Sequence, residues 1–287
     1  MNTFTAQDVK YLQRPEGRIA YTIEGSGPLI VAVPGMGDLR STFRELVGPL
    51  VHAGYRVAVM DLRGHGDSDT TFRVHGDVAT GTDLIALIDE LGGPAVVLGN
   101  SMGGSAAAWA AAERPDAVAG LVLYGAFLRE PASSAFARAS IHGLYRILFV
   151  KPWGAAFWAS YYKGLNKGTK APWLDEHAAE IHANLAEPGR LRSFRELTLQ
   201  LTHAMIEPRI PEVHAPMLAY MGDQDPDFAD PVAELAWIAT TGAETVLVSD
   251  AGHYTQTQRP DVTVPGTLAF VDGLRDDTVA SGWAARA

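Results

Sequence analysis

The sequence predicts an α/β fold, with a mostly parallel central sheet, helices on both faces and a helical insertion. Three observations predict it. Six short apolar runs, at residues 29–33, 55–60, 95–98, 120–124, 216–221 and 245–248, read as buried parallel strands. Helical patterns at 42–53, 82–91, 105–113, 231–241 and 262–274 lie between most of them, the alternation expected of a parallel sheet covered on both faces. The alternation stops between about 128 and 211, a stretch rich in Ala, aromatic residues and helical patterning with no convincing strand.

Taken in order, the chain opens with two strand-like segments, 8–12 and 18–24, flanking Arg14-Pro15-Glu16-Gly17. Pro-Glu-Gly is turn chemistry, so an antiparallel hairpin is expected. The run 29–33 leads into Pro34-Gly35-Met36-Gly37-Asp38, and the run 55–60 ends at Asp61. The run 95–98 leads into Gly99-Asn100-Ser101-Met102-Gly103 and then into a small-residue helix. After 120–124 comes Gly125-Ala126-Phe127, which offers no carboxylate. In the insertion, Pro152 is placed to start a helix carrying Trp153, Phe157, Trp158, Tyr161 and Tyr162 near one face. Beyond it, 216–221 runs into Gly222-Asp223-Gln224-Asp225-Pro226-Asp227, and 245–248 runs into Asp250-Ala251-Gly252-His253-Tyr254. The polar tail after Leu274 is expected to fray. This organisation divides the chain into a core, 1–127 with 212–287, and an inserted helical unit, 128–211.

Composition excludes several function classes. The 287 residues are 47% hydrophobic, enough for a large core. The net charge is −10 with no Lys/Arg run, which argues against a nucleic-acid partner. Without Cys there is no disulfide, thiolate catalysis or zinc–thiolate site. The first ten residues do not read as a secretory signal, and no apolar stretch reaches the length of a membrane span. The expectation is a cytoplasmic enzyme, monomer or homodimer, acting on a small molecule without a cofactor or metal, and without nucleic-acid or membrane partners.

The chemistry centres on Ser101. A G-x-S-x-G sequence between a buried strand and a helix is a nucleophile elbow, a tight strained turn that lifts the serine hydroxyl clear of the sheet. Alone the pattern is weak in a chain with 29 glycines, and the strand-before, helix-after context gives it weight. A serine hydroxyl needs a base, and the base needs a carboxylate to fix its tautomer. His253 is the base candidate, because it follows a strand at its carboxyl end. His52 falls in a helix, His65 and His75 in early loops, and His142, His177, His182, His203 and His214 in or near the insertion. Asp225 is the acid candidate and Asp227 the fallback. The backbone amides of Met102 and Met36 are the candidate donors to a developing oxyanion. Trp153, Phe157, Trp158 and Tyr161 are candidate substrate contacts, weighed against ordinary packing of the insertion. A rival reading of Gly35-Met36-Gly37 as a dinucleotide fingerprint fails at Arg40, whose bulk stands where the third glycine belongs.

The Pro34–Gly37 loop, Asp61-Leu62-Arg63-Gly64-His65-Gly66-Asp67-Ser68, the Ser101 elbow, Gly222–Asp225 and Gly252-His253 together resemble the α/β-hydrolase superfamily over nearly the whole chain. The resemblance implies a Ser101–Asp225–His253 triad and a helical cap, matching 128–211. It gives His65 and Asp61 structural roles only. Many relatives carry His-Gly where this chain has Pro34-Gly35, a departure that spares the backbone donors. The expected function is that of an esterase-like serine hydrolase, cleaving a carboxylic ester, lactone or thioester of a small apolar substrate. Alternatives are a meta-cleavage C–C hydrolase, which Gly104 resembles but the short oxyanion loop and Tyr254 do not; a cofactor-free haloperoxidase or perhydrolase; and a slow-turnover ligand receptor. Dehalogenase and epoxide hydrolase chemistry would resemble this fold with Asp at position 101.

Overall fold

The computed structural model describes residues 8–131, 135–276 and 283. Its centre is one eight-stranded sheet in the order β1-β2-β4-β3-β5-β6-β7-β8. Strands β1 (Lys10–Arg14) and β2 (Gly17–Glu24) form the antiparallel hairpin expected around Pro15-Glu16, and β2 pairs antiparallel with β4 (Arg56–Met60). From β4 onward the sheet is parallel, through β3 (Leu29–Val33), β5 (Ala95–Asn100), β6 (Val118–Tyr124), β7 (Met217–Gly222) and β8 (Glu244–Val248). Every residue of β3, β5 and β7 is buried, which is why these strands read as unbroken apolar runs rather than alternating ones.

Two apolar layers cover the sheet. Helices α1 (Arg44–His52) and α10 (Pro260–Asp276) contribute Leu46, Val47, Leu50, Val271 and Leu274 to one. Helices α2 (Asp77–Glu90) and α3 (Met102–Glu113) contribute Leu84, Leu87, Ile88 and a block of alanines to the other. Since β3 feeds α1 on one face and β5 feeds α3 on the opposite face, the loops after these adjacent strands diverge. A crevice opens between them at the carboxyl edge of the sheet, where ligands bind in open α/β folds.

Helix α2 starts five residues earlier than the sequence pattern predicts. Its first six residues, 77–82, carry two Thr and a Gly, which intrinsic propensity reads as loop. Packing overrides that: a Cβ on Gly81 would lie 2.5 Å from the Trp109 ring and 2.9 Å from the Ala106 carbonyl oxygen on α3. Of the tail expected to fray, Arg275 and Asp276 continue α10, and Trp283 is buried, donating from Nε1 to the Leu29 carbonyl (2.8 Å) and stacking on Tyr55; the rest lies outside the described residues.

Among the described residues, four α-helices lie between β6 and β7: α4 (Ala135–Leu148), α5 (Gly154–Leu165), α6 (Leu174–Ala186) and α7 (Arg190–Gln200). They share an aromatic core of Phe149, Trp158, Tyr162 and Phe194, separate from the two sheet layers. A 3₁₀ turn at Glu207–Glu212 brings the chain back, with Ile206 and Ile210 already packed in the α2–α3 layer. Helix α8 (Pro231–Ala239) then starts with Asp230 accepting from the Ala233 N–H, and a single turn, α9 (Thr255–Gln258), precedes α10. No described helix is long and apolar enough to cross a membrane.

Candidate active site

Ser101 stands between β5 and α3 with φ 53° and ψ −125°, a conformation L-residues rarely adopt and one that costs about 1–3 kcal/mol. The glycines around it are sterically required. A Cβ on Gly99 would lie 2.5 Å from Gly104 Cα, and a Cβ on Gly103 would lie 2.3 Å from the Val33 carbonyl oxygen. Backbone meets backbone at both places, so nothing can move aside. Asn100, which the sequence reading passed over, ties the turn to its neighbours: its Nδ2 donates to the Tyr124 carbonyl (2.9 Å) and the His253 carbonyl (3.4 Å).

His253 and Asp225 come together from the loops after β8 and β7. The His253 Nδ1 lies 2.8 Å from Asp225 Oδ2, and both residues are buried. Gly125, with φ 57°, leaves room for this pair: a Cβ there would lie 3.2 Å from both Asp225 Oδ2 and His253 Nδ1. Asp227 sits on the other side of the ring, its Oδ2 3.6 Å from Nε2, and accepts from the Tyr161 hydroxyl at 3.2 Å. The two acids therefore divide between the two ring nitrogens, with Asp225 in the orienting position. Burial works against a charged imidazole, but Asp225 and then Asp227 outweigh it, and the His253 pKa is raised to about 9. Burial pushes the Asp227 carboxyl above its ordinary value, with His253 pulling the other way. Asp225, Asp227 and His253 are also a donor set within reach of one metal ion, their ligand atoms lying within 4.8 Å of one another. Asp225 Oδ2 is already engaged by the imidazole, the arrangement of an oriented base.

Ser101, His253, Met36 and Met102 all line one cavity of about 630 Å³. Among the described residues, no acceptor is hydrogen-bonded to the N–H of Met36 or Met102. The Met36 loop is fixed from two sides. From below, His65 Nε2 accepts from the Gly37 N–H (3.2 Å) while Nδ1 bonds the Arg63 carbonyl (2.9 Å). Burial lowers the His65 pKa to about 4, so this imidazole is neutral and can accept. Asp61 is buried against Arg40, clear of the cavity lining. Arg40, which spoils the dinucleotide pattern, pairs with Asp61 and Asp67.

From above, the insertion grips the same loop. Trp158 Nε1 donates to the Gly37 carbonyl (2.9 Å), and the Tyr162 hydroxyl donates to Asp38 (3.3 Å). Asp38 Oδ1 meets His177 Nε2 at 2.6 Å with both side chains wholly buried. Burial disfavours the His177 charge, Asp38 more than restores it, and the pKa is raised. The insertion holds the histidine loop too, since the His253 N–H donates to the Leu165 carbonyl at the end of α5 (3.1 Å). Sequence spacing carries no sign of the Asp38–His177 pair, whose members are 139 residues apart.

Of the four aromatic residues expected to touch substrate, Trp158 and Tyr161 line the cavity. Trp153 and Phe157 do not: Trp153 is 50% exposed and donates to the Ile147 carbonyl, and Phe157 is 38% exposed against Phe149 and Tyr161. The helix begins at Gly154, and its inner face carries 158, 162 and 165, leaving 153 and 157 on the outer shoulder. The remaining lining includes Phe127, Glu130, Tyr145 and His203, none of which the sequence reading selected.

With this geometry in view, comparison with known proteins decides the family. The sequence profile of the alpha/beta hydrolase family matches residues 30–265. The chain belongs to the α/β hydrolase family. It is 26% identical over 253 residues to the pimeloyl-[acyl-carrier protein] methyl ester esterase of Neisseria meningitidis serogroup A, covering 86% of this chain and 78% of that protein. It is 24% identical over 265 residues to 3-oxoadipate enol-lactonase 2 of Acinetobacter baylyi, covering 90% and 92%. In structure this α/β hydrolase is similar to a thermophilic esterase from Thermogutta terrifontis, with a TM-score of 0.74 at 22% identity over 93% of this chain and 98% of the other, a likeness of fold.

Proposed function

We propose that this α/β hydrolase is a serine esterase that cleaves a carboxylic ester or lactone of a small, largely apolar substrate through an acyl-enzyme. One observation carries the reading: Ser101, in the strained elbow conformation, shares a cavity with an imidazole whose Nδ1 is held at 2.8 Å by a buried carboxylate. Two relatives named for ester and lactone cleavage support it.

In this mechanism the Ser101 hydroxyl attacks the ester carbonyl while His253 Nε2 takes its proton. Asp225 keeps the other ring proton on Nδ1 and offsets the imidazolium charge. The carbonyl oxygen, now an oxyanion, accepts from the Met36 and Met102 N–H groups, which are held in place before reaction and need no reorganisation. The intermediate collapses, the alcohol leaves with the proton from His253, and an acyl group remains on Ser101. Water, deprotonated by His253, then attacks the acyl carbonyl and releases the acid.

A fluorophosphonate probe should label the wild-type protein and leave Ser101→Ala unlabelled; equal labelling of the two would remove Ser101 as nucleophile. A panel of p-nitrophenyl esters of increasing chain length, with a lactone and a ring-cleavage diketo acid, reads the bond type. Turnover of the diketo acid alone would replace the ester reading with C–C hydrolysis.

A further inference from the structure

The cavity holds a second carboxylate–imidazole pair besides the one at Ser101. His203 Nδ1 lies 2.8 Å from Asp77 Oδ2, and Asp77 is buried. The His203 ring lies face to face on Phe127, with centroids 4.8 Å apart and planes 5° from parallel, and the same Phe127 ring is 6.0 Å from His253. One aromatic ring thus spaces the second imidazole from the first, and His203 lines the cavity.

The donors at this end are already used. With the Asp77 carboxylate against Nδ1, the tautomer that carries its proton there presents a lone pair on Nε2. Among the described residues Nε2 has no partner, and it is not one of the buried unpartnered atoms. Glu130 Oε2 accepts from the Thr202 hydroxyl (2.9 Å) and from the His203 N–H (2.5 Å). The Thr198 hydroxyl donates to the Arg195 carbonyl (2.8 Å). Around His203 the lining offers acceptors, Nε2 of the ring and the Glu130 carboxylate, while the donors His142 and Tyr145 reach the cavity from α4. Elsewhere the lining includes Met36, Ile141, Tyr145, Trp158 and Leu165.

We propose that His203, oriented by Asp77 and flanked by Glu130, is a specificity-determining residue that accepts a hydrogen bond from a hydroxyl group carried by the substrate. The inference rests on the ester-hydrolase reading and narrows it to hydroxylated esters. An acceptor at Nε2 beside the Glu130 carboxylate selects a donor, and a carboxylate-bearing substrate would meet the like charge of Glu130. An ammonium group would have to shed its hydration in a largely apolar cavity, so a neutral hydroxyl fits best. Recognition of this kind discriminates strongly, because the analogue lacking the hydroxyl leaves buried acceptors unpaired.

The test pairs each hydroxylated ester with its alkyl parent. Rates of methyl 6-hydroxyhexanoate against methyl hexanoate, and of 6-hydroxyhexyl acetate against hexyl acetate, are followed by pH-stat. The wild-type enzyme is expected to favour the hydroxyl in one pair by about tenfold or more in kcat/KM. That ratio should fall to near one in His203→Phe, which keeps a ring on Phe127, and in Asp77→Asn, which frees the tautomer. Calorimetry with hexane-1,6-diol and hexan-1-ol gives the same comparison without turnover, the diol binding more tightly until His203 is replaced. Wild-type ratios near one in both pairs, a ratio that survives His203→Phe, or better turnover of methyl 6-aminohexanoate or monomethyl adipate would each overturn the proposal. If no ester is cleaved, the esterase reading fails, and the diol comparison still decides this one. Should His203→Phe not fold, Glu130→Gln and Asp77→Asn carry the same ratio.

Discussion

Replacing Asp227 by Asn tests the electrostatics of the His253 imidazole. Its carboxylate lies 3.6 Å from His253 Nε2. At that separation the attraction for an imidazolium amounts to about 1 kcal/mol in a water-like dielectric and about 5 kcal/mol at an effective dielectric of 20. With 1.36 kcal/mol per pKa unit, this is a shift of about one to three units. Asp227 lines the cavity and is partly exposed, so solvent screens the pair and favours the lower end. The sign is fixed: removing the negative charge destabilises the imidazolium, so the His253 pKa falls from about 9 toward about 8. A general base acts when neutral, so the acidic limb of kcat/KM moves down by about one unit. The fraction of neutral base at pH 7 then rises about tenfold. The assay is kcat/KM for p-nitrophenyl butyrate from pH 6 to 10, with background hydrolysis subtracted. A midpoint that stays in place, or moves up, would refute the assignment of Asp227 as a modulating charge on Nε2.

Other expectations follow from the same geometry. Asp225→Asn should leave the circular dichroism spectrum intact and lower turnover by on the order of 10⁴-fold, through loss of the ring tautomer; if Asp227→Asn does this instead, the orienting acid has been misassigned. Gly103→Ala should cost about 3 kcal/mol or more in urea unfolding, because the new Cβ meets the Val33 and Pro34 carbonyl oxygens, and an unchanged midpoint would contradict the packing. Trp158→Phe keeps much of the ring contact but leaves the Gly37 carbonyl without its donor; a loss of about 1–3 kcal/mol in stability, with slower turnover, is expected. His65 is buried neutral with its pKa lowered to about 4, so its contribution is complete above about pH 6.5 and is lost as pH falls toward 4. The wild-type protein should lose on the order of 3 kcal/mol more than His65→Gln over that window in acid denaturation, and parallel curves would exclude it.

Much of the site was legible because its parts follow strands. Buried parallel strands write unbroken apolar runs, and the residue just past each run lies at the carboxyl edge of the sheet. Ser101, Asp225 and His253 could therefore be selected one at a time, each from its own loop, as could Met36 and Met102. The positions of the strands along the chain were legible for the same reason, and the helical character of 128–211 from the break in that alternation. The start of α2 was not legible, because the glycine at 81 that reads as a breaker is there to let α3 approach closely, a contact local pattern does not show. Trp153 and Phe157 were misplaced, because sequence spacing shows that aromatic residues share a helix without showing which face the cavity meets.

Sequence by itself determined the family, the element order and the identity of the nucleophile, base and acid candidates, since each depends on local pattern and on strand ends. Tertiary structure alone decided which acid takes which ring nitrogen, separating Asp225 at Nδ1 from Asp227 at Nε2. It also decided that Asp38 meets His177, and that Asp77 meets His203 beside the cavity, pairs separated by 139 and 126 residues. Such contacts leave no periodicity in the chain. They exist because folding brings the insertion over the crevice, and a carboxylate buried there must find a partner or lose its charge.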